Sequence, residues 1–125
     1  MKKHITSPDA PKPIGPYSQA VVAGGLMFVS GQIAIDPKTD KVVEGDVSAQ
    51  TEQVLKNLMA ILKEAKMGAE NVVKTTVFLA DMADFAKMNE VYAQYLGKQP
   101  PARSTVAAAG LPRGVKVEID LVAAY

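Results

Sequence analysis

Leu26-Met27-Phe28-Val29-Ser30-Gly31-Gln32-Ile33-Ala34 is a β-forming run by its branched and aromatic content. Side chains alternate across a strand, so Leu26 and Phe28 point one way while Met27, Val29 and Ile33 point the other. The run is apolar on both faces. A second β-rich stretch, Tyr17 to Ala23, precedes it, and Gly24-Gly25 between them signals a two-residue hairpin whose favoured turn needs positive φ.

Outward from this hairpin, the elements fall into an alternating order. Asp36-Pro37-Lys38-Thr39-Asp40 reads as a turn. Asp46 or Ser48 caps a helix running to about Lys66, with Val54, Leu55, Leu58, Ile61, Leu62 and Ala65 on one face. Gly68 follows, where a left-handed residue is wanted. Asn71 to Ala80 reads as a strand, and Asp84 to Leu96 as a helix with Phe85, Met88, Tyr92 and Tyr95 or Leu96 at helical spacing, stopped by Gly97. After Pro100-Pro101, Arg103 to Ala109 and Val115 to Ala124 read as a hairpin across Gly110 to Gly114. On the N-terminal side, Pro8, Pro11, Pro13 and Pro16 make Ser7 to Pro16 an extended, irregular arm, and His4 falls in a mobile terminus without a role. The pattern predicts a single α+β domain over residues 1–125, one mixed, mainly antiparallel sheet packed on two helices.

Two helices cover only one face of such a sheet, and the strands are apolar on both. In the last strand Val115, Val117, Ile119 and Leu121 share one face, while Val122 and Ala124 point the other way. An uncovered face of this content is expected to drive association through the sheets. A hairpin flap folded over the second face is the alternative.

Composition narrows the chemistry. The chain has 125 residues, 48% of them apolar and 22% charged, enough to bury a real core. Its 14 basic and 13 acidic residues leave a net charge of +1 with no basic stripe, so a nucleic-acid partner is not expected. There is no cysteine, which excludes a disulfide framework, a thiol nucleophile and a Cys-ligated metal. The one histidine, His4, excludes a multi-His metal site and leaves few routes to a serine triad. The longest apolar run, about Ala20 to Val29, falls far short of the ~20 residues that span a bilayer. Met1-Lys2-Lys3 leads into no apolar segment, so a cytoplasmic protein is expected.

Arg103 follows a rigid diproline and opens a strand, so its backbone is well fixed. Its planar guanidinium suits a small carboxylate, to which it donates two parallel hydrogen bonds. A surface arginine or an intrachain ion pair would look the same in sequence. Glu118, inside the β-forming Val117-Glu118-Ile119, needs a partner if its face is buried by association, and burial would raise its pKa toward proton transfer. Across the expected hairpin the two residues would lie close together, as a structural ion pair or as a catalytic one. Tyr17 could close a pocket, Ser30-Gly31 ends a strand at a close approach or a bulge, and Asn89 sits mid-helix.

Several separate motifs, in order along nearly the whole chain, resemble one family. They are Gly15-Pro16-Tyr17-Ser18-Gln19-Ala20, Val29-Ser30-Gly31-Gln32, Gln50-Thr51-Glu52-Gln53-Val54-Leu55-Lys56-Asn57-Leu58, Met88-Asn89-Glu90-Val91-Tyr92, and Pro101-Ala102-Arg103-Ser104-Thr105-Val106 with Leu111-Pro112 and Val117-Glu118-Ile119. Together they resemble the Rid family, and within it the RidA branch of reactive-intermediate (2-iminobutanoate/2-iminopropanoate) deaminases. The resemblance implies a chorismate-mutase-like fold, a homotrimer and sites in the clefts between subunits. It implies that Arg103 binds the substrate carboxylate and Glu118 positions or activates water, while Tyr17, Ser30, Gly31, Asn89 and Thr105 line the pocket. The position of Thr105 is often cysteine in that family, so a thiol-based role does not carry over. Hydrolysis of a 2-imino acid to a 2-oxo acid and ammonia needs no covalent nucleophile, metal or organic cofactor, because its carbon is already electrophilic. Two other readings stand beside it: a non-catalytic trimer binding small carboxylates, and an RNA-acting translation inhibitor.

Overall fold

The computed structural model describes every residue, Met1–Tyr125. Six strands form one sheet: β1 (Lys3–Ile5), β2 (Ala20–Ala23), β3 (Leu26–Gln32), β6 (Val72–Leu79), β7 (Ala102–Ala107) and β8 (Val117–Ala124). Their spatial order is β1-β2-β3-β8-β6-β7, and the short strands β4 (Ile35–Asp36) and β5 (Lys41–Val42) make a separate ribbon. Helices α1 (Val47–Glu64) and α2 (Phe85–Leu96) complete an α+β fold, a mixed sheet on two helices. No helix is long and apolar enough to cross a membrane.

The β2–β3 hairpin turns through Gly24 and Gly25 at φ 60° and 78°, with Ala23 opposite Leu26. Positive φ at both central residues is what this tight turn requires, and glycine supplies it without a Cβ clash. Of the two candidate caps for α1, Asp46 is the one used, its carboxylate accepting the Ala49 N–H at 3.2 Å. The predicted apolar stripe, Val54 through Ala65, is buried throughout. The helix does not end as expected. The left-handed residue is Lys66, at φ 59°, whereas Gly68 is extended. Lys66 and Met67 donate their N–H groups to Lys63 and Leu62, both at 2.9 Å, closing the helix one turn before the glycine.

The expected hairpin between the last two strands is also overturned. β7 pairs with β6 in parallel, Arg103 opposite Thr75, while β8 lies antiparallel on the other side of β6, Glu118 opposite Phe78. The cause is α2. A helix between β6 and β7 is a crossover, which returns the chain to its starting end and lays the two strands parallel. The chain then passes back across β6 and enters the slot between β6 and β3. The N-terminus departs from expectation too: Lys3–Ile5 is an edge strand on β2, and His4 Nδ1 lies 2.7 Å from Ser18 Oγ.

One face of β8 (Val117, Ile119, Leu121 and Ala123) is sealed under the helices in a core with Leu55, Leu58, Ile61, Leu62 and Met88. The other face stays open. Phe28 is 46% exposed and Val106 44%, with Phe78 and Val122 half-buried between them, so no flap covers this side. The apolar excess anticipated on the second face is therefore real and, within one chain, unpartnered.

Candidate functional site

Arg103 stands on β7, the edge strand, and its side chain lies across α2. That helix presents Phe85, Asn89 and Tyr92, a spacing of four and three residues that aligns them in one stripe. The guanidinium carbon sits 4.7 Å from the Tyr92 ring centre and 5.5 Å from that of Phe85, and Nη1 donates to Asn89 Oδ1 at 2.6 Å. Stacking on a ring face is worth about 0.5–2 kcal/mol and leaves the donor edge of the fork free. Tyr92 is itself fixed, its hydroxyl 2.7 Å from Thr75 Oγ1 in the core. No carboxylate of the chain pairs with Arg103; the one salt bridge joins Lys87 and Asp46 on the surface. Beside the guanidinium runs a groove of about 440 Å³ lined by Asn89, Tyr92, Leu96, Pro100 and Pro101. Thr105, two residues along the same face of β7, has a buried Oγ1 with no hydrogen-bond partner.

Glu118 belongs to a different surface. It lies on the open face of β8 at the floor of a cleft of about 210 Å³, walled by Pro11, Ile14, Tyr17, Gly31, Ile33 and Pro112. The pairing of β3 with β8 slips between Val29 and Gln32, so Ser30-Gly31 forms the bulge that sequence allowed. A Cβ on Gly31 would overlap Glu118 Oε2 and lie 3.0 Å from its Cδ, so glycine is what lets the carboxyl enter. Burial, and then the like charge of Asp120, hold the Glu118 carboxyl above the usual carboxylate range. The Ser30 hydroxyl donates to the Ser18 carbonyl at 2.6 Å, which leaves its oxygen only an acceptor role. Tyr17 is half exposed at the rim, where its hydroxyl takes a 3.4 Å hydrogen bond from the Ile14 N–H.

The seven predicted residues thus divide into two groups. Arg103, Asn89 and Thr105 gather at the β7 edge; Tyr17, Gly31 and Glu118 line the cleft, and Ser30 sits next to Gly31 in the bulge. Arg103 shares a cross-strand row with buried Thr75 and Leu121, on the helix side of the sheet. Glu118 shares one with Phe78 and exposed Val106, on the open side. The expected intrachain proximity of Arg103 and Glu118 is overturned, because β6 lies between their strands and they point to opposite faces. Sequence reading gives Phe85 and Tyr92 only helical spacing, without a role beside Arg103, and does not anticipate Ile14, Ile33 or Pro112 as cleft wall. The spacing of Phe85, Asn89 and Tyr92 on one helix was the signal for the first omission.

Comparison with known proteins gives a consistent answer. The model of a family described as Endoribonuclease L-PSP matches residues 7–125. A RutC family protein of Pyrococcus horikoshii is 54% identical over 123 residues, covering 98% of both chains. The chloroplastic Reactive Intermediate Deaminase A of Arabidopsis thaliana is 48% identical over 124 residues, 98% of this chain and 66% of that one. The crystal structure of RidA from the Antarctic bacterium Psychrobacter sp. PAMC 21119 superposes with a TM-score of 0.94 at 41% identity, over 98% of this chain and 99% of that one. Fold, motifs and relatives agree that this chain belongs to the Rid family, the family of the Endoribonuclease L-PSP model.

Proposed function

We propose that the protein hydrolyses 2-imino acids, such as 2-iminobutanoate and 2-iminopropanoate, to 2-oxo acids and ammonia at sites shared between protomers of a homotrimer. One observation carries the reading: an arginine with no anionic partner and a carboxyl with no cationic partner occupy opposite faces of one sheet. The open, apolar sheet face supplies the surface through which protomers meet, and assembly places Arg103 of one chain beside Glu118 of the next.

In that site the Arg103 fork grips the substrate carboxylate, oriented by Asn89 and by the rings of Tyr92 and Phe85. Glu118, in its anionic form, takes a proton from water as the water oxygen bonds to the imine carbon. The imine enters protonated on nitrogen, so the C=N electron pair closes onto nitrogen and a neutral carbinolamine forms, with hydroxyl and amine on one carbon. The Glu118 proton then passes to that nitrogen, and as the C–N bond breaks and ammonia leaves, the regenerated carboxylate takes the hydroxyl proton and the C=O of the 2-oxo acid forms. Tyr17, Ser30, Gly31 and Thr105 line the pocket. Every step is proton transfer and orientation, for which general acid–base help is typically ~10²–10⁴-fold.

A mixing experiment tests both the chemistry and the sharing. 2-Iminobutanoate is generated with an amino-acid oxidase, and its decay is followed above the spontaneous rate. Arg103→Ala and Glu118→Gln proteins are each inactive. Unfolded and refolded together in equal amounts, they regain about a quarter of wild-type activity, because that fraction of shared sites receives one intact residue from each parent. Sites contained within single chains would regain none. Incubation with RNA checks the ribonuclease reading that the family description raises; the single histidine, His4, lines neither cleft nor groove.

A further inference from the structure

We propose that Gln19 is a positioning residue that ties together both walls of the Glu118 cleft, an inference that rests on reading this cleft as part of the substrate site. The arm that forms one wall has little backbone bonding of its own, since Pro8, Pro11, Pro13 and Pro16 lack N–H groups. Its carbonyls converge instead on one side chain. Gln19 Nε2 donates to Ser7 O at 3.1 Å, Pro11 O at 2.9 Å and, more weakly, Ala10 O at 3.4 Å. Gln19 Oε1 accepts the Ser7 N–H at 2.6 Å. The residue is 2% exposed, so none of these bonds is replaced by water if lost.

The opposite wall is held by the same residue through its main chain. The Gln19 carbonyl accepts the Ser30 N–H at 2.9 Å, pinning the bulge whose Gly31 admits the Glu118 carboxyl. One residue therefore sets the distance between the arm, which carries Pro11, Ile14 and Tyr17, and the bulge that seats the carboxyl. Only a neutral amide offers an acceptor and two donors at this reach. Glutamate would set an anion against three carbonyl oxygens, and lysine would lack the acceptor.

The test uses the full chain with Gln19→Leu, reading imine kinetics and amide hydrogen exchange together. Exchange accelerates over residues 7–17 while β3 and β8 keep their protection. KM rises about ten-fold with kcat within about two-fold, the pattern of a loosened wall rather than a lost reacting group. Wild-type exchange in the arm, or a loosened arm with wild-type KM, overturns the proposal. Should Gln19→Leu fail to fold, Ser7→Pro removes the N–H that Oε1 accepts and is judged on the same readouts. A wild-type protein that hydrolyses no imine overturns the proposed function alone. Arm exchange and calorimetric affinity for 2-oxobutanoate then still decide whether Gln19 positions the cleft.

Discussion

The Arg103 platform and the Glu118 cleft solve opposite problems of placement. The platform is regular secondary structure: an edge strand and one stripe of α2, which fix a charge by ring stacking and a single hydrogen bond. The cleft is irregular: a proline-rich arm, a bulge and a glycine, which make room for a carboxyl that forms no ion pair. A guanidinium tolerates stacking and partial burial because its charge is delocalised and weakly hydrated. A half-buried carboxyl is raised in pKa instead, which suits the proton exchange proposed for it. The difference teaches that the charged group is seated by regular structure on one surface and by irregular structure on the other.

The sharpest way to break the comparison is Glu118→Gln. The amide keeps the shape but cannot take a proton, so turnover falls by ~10²–10⁴-fold while 2-oxobutanoate binding survives. Turnover close to wild type would remove the general-base role, and parallel loss of binding would make Glu118 an orienting group. Gly31→Ala attacks the same half through geometry. The new methyl meets the Glu118 carboxyl and displaces it, for a loss of about 10²-fold, the scale of a misplacement of roughly 1 Å. Unchanged kinetics in that variant would mean the carboxyl's position is not critical.

On the platform side, Arg103→Lys keeps the charge but loses the planar two-point grip and the stacking. A charge-assisted hydrogen bond is worth roughly 1.5–3 kcal/mol, so kcat/KM falls about ten- to a hundred-fold with the fold intact. Full activity in this variant would return Arg103 to a structural role. The smallest effect belongs to Asp120→Asn. Glu118 must be ionised to accept a proton, so activity falls as pH drops through its raised pKa, and the acid limb lies above the usual carboxylate range. Removing the Asp120 charge removes one cause of the shift and moves that limb to lower pH, with little change on the plateau. A limb that stays put would show that Glu118 is not the titrating group.

These contrasts also mark what the sequence could disclose. The helix stripes, the Gly24-Gly25 turn and the two-faced apolar strands follow from local periodicity, and each appears where expected. The partner of β7 does not. Whether Arg103 to Ala109 pairs with the following strand or the preceding one depends on the crossover through α2, a matter of topology rather than pattern. The misplaced hairpin then carried Arg103 toward Glu118 in one chain. The candidate residues stand out in the sequence, several only through family resemblance, but their division between two faces needs the register. The cap at Lys66 was hidden for a different reason. Glycine is the usual signal for a left-handed residue, and here a lysine adopts that conformation two positions before one.

The sheet order carries a consequence for how the chain is made. β8, the last strand in chain order, is the one that fills the slot between β3 and β6. During vectorial synthesis those two strands would each keep an unpaired edge toward that slot until Val117–Ala124 leaves the ribosome. Pairings this distant in sequence raise contact order and slow folding. Open edges of apolar strands are also the surfaces on which nascent chains aggregate or engage chaperones. Tethering the chain so that Val117–Ala124 stays inside the ribosomal tunnel should leave a protease-sensitive intermediate, and release of those eight residues should close the sheet in a single cooperative step.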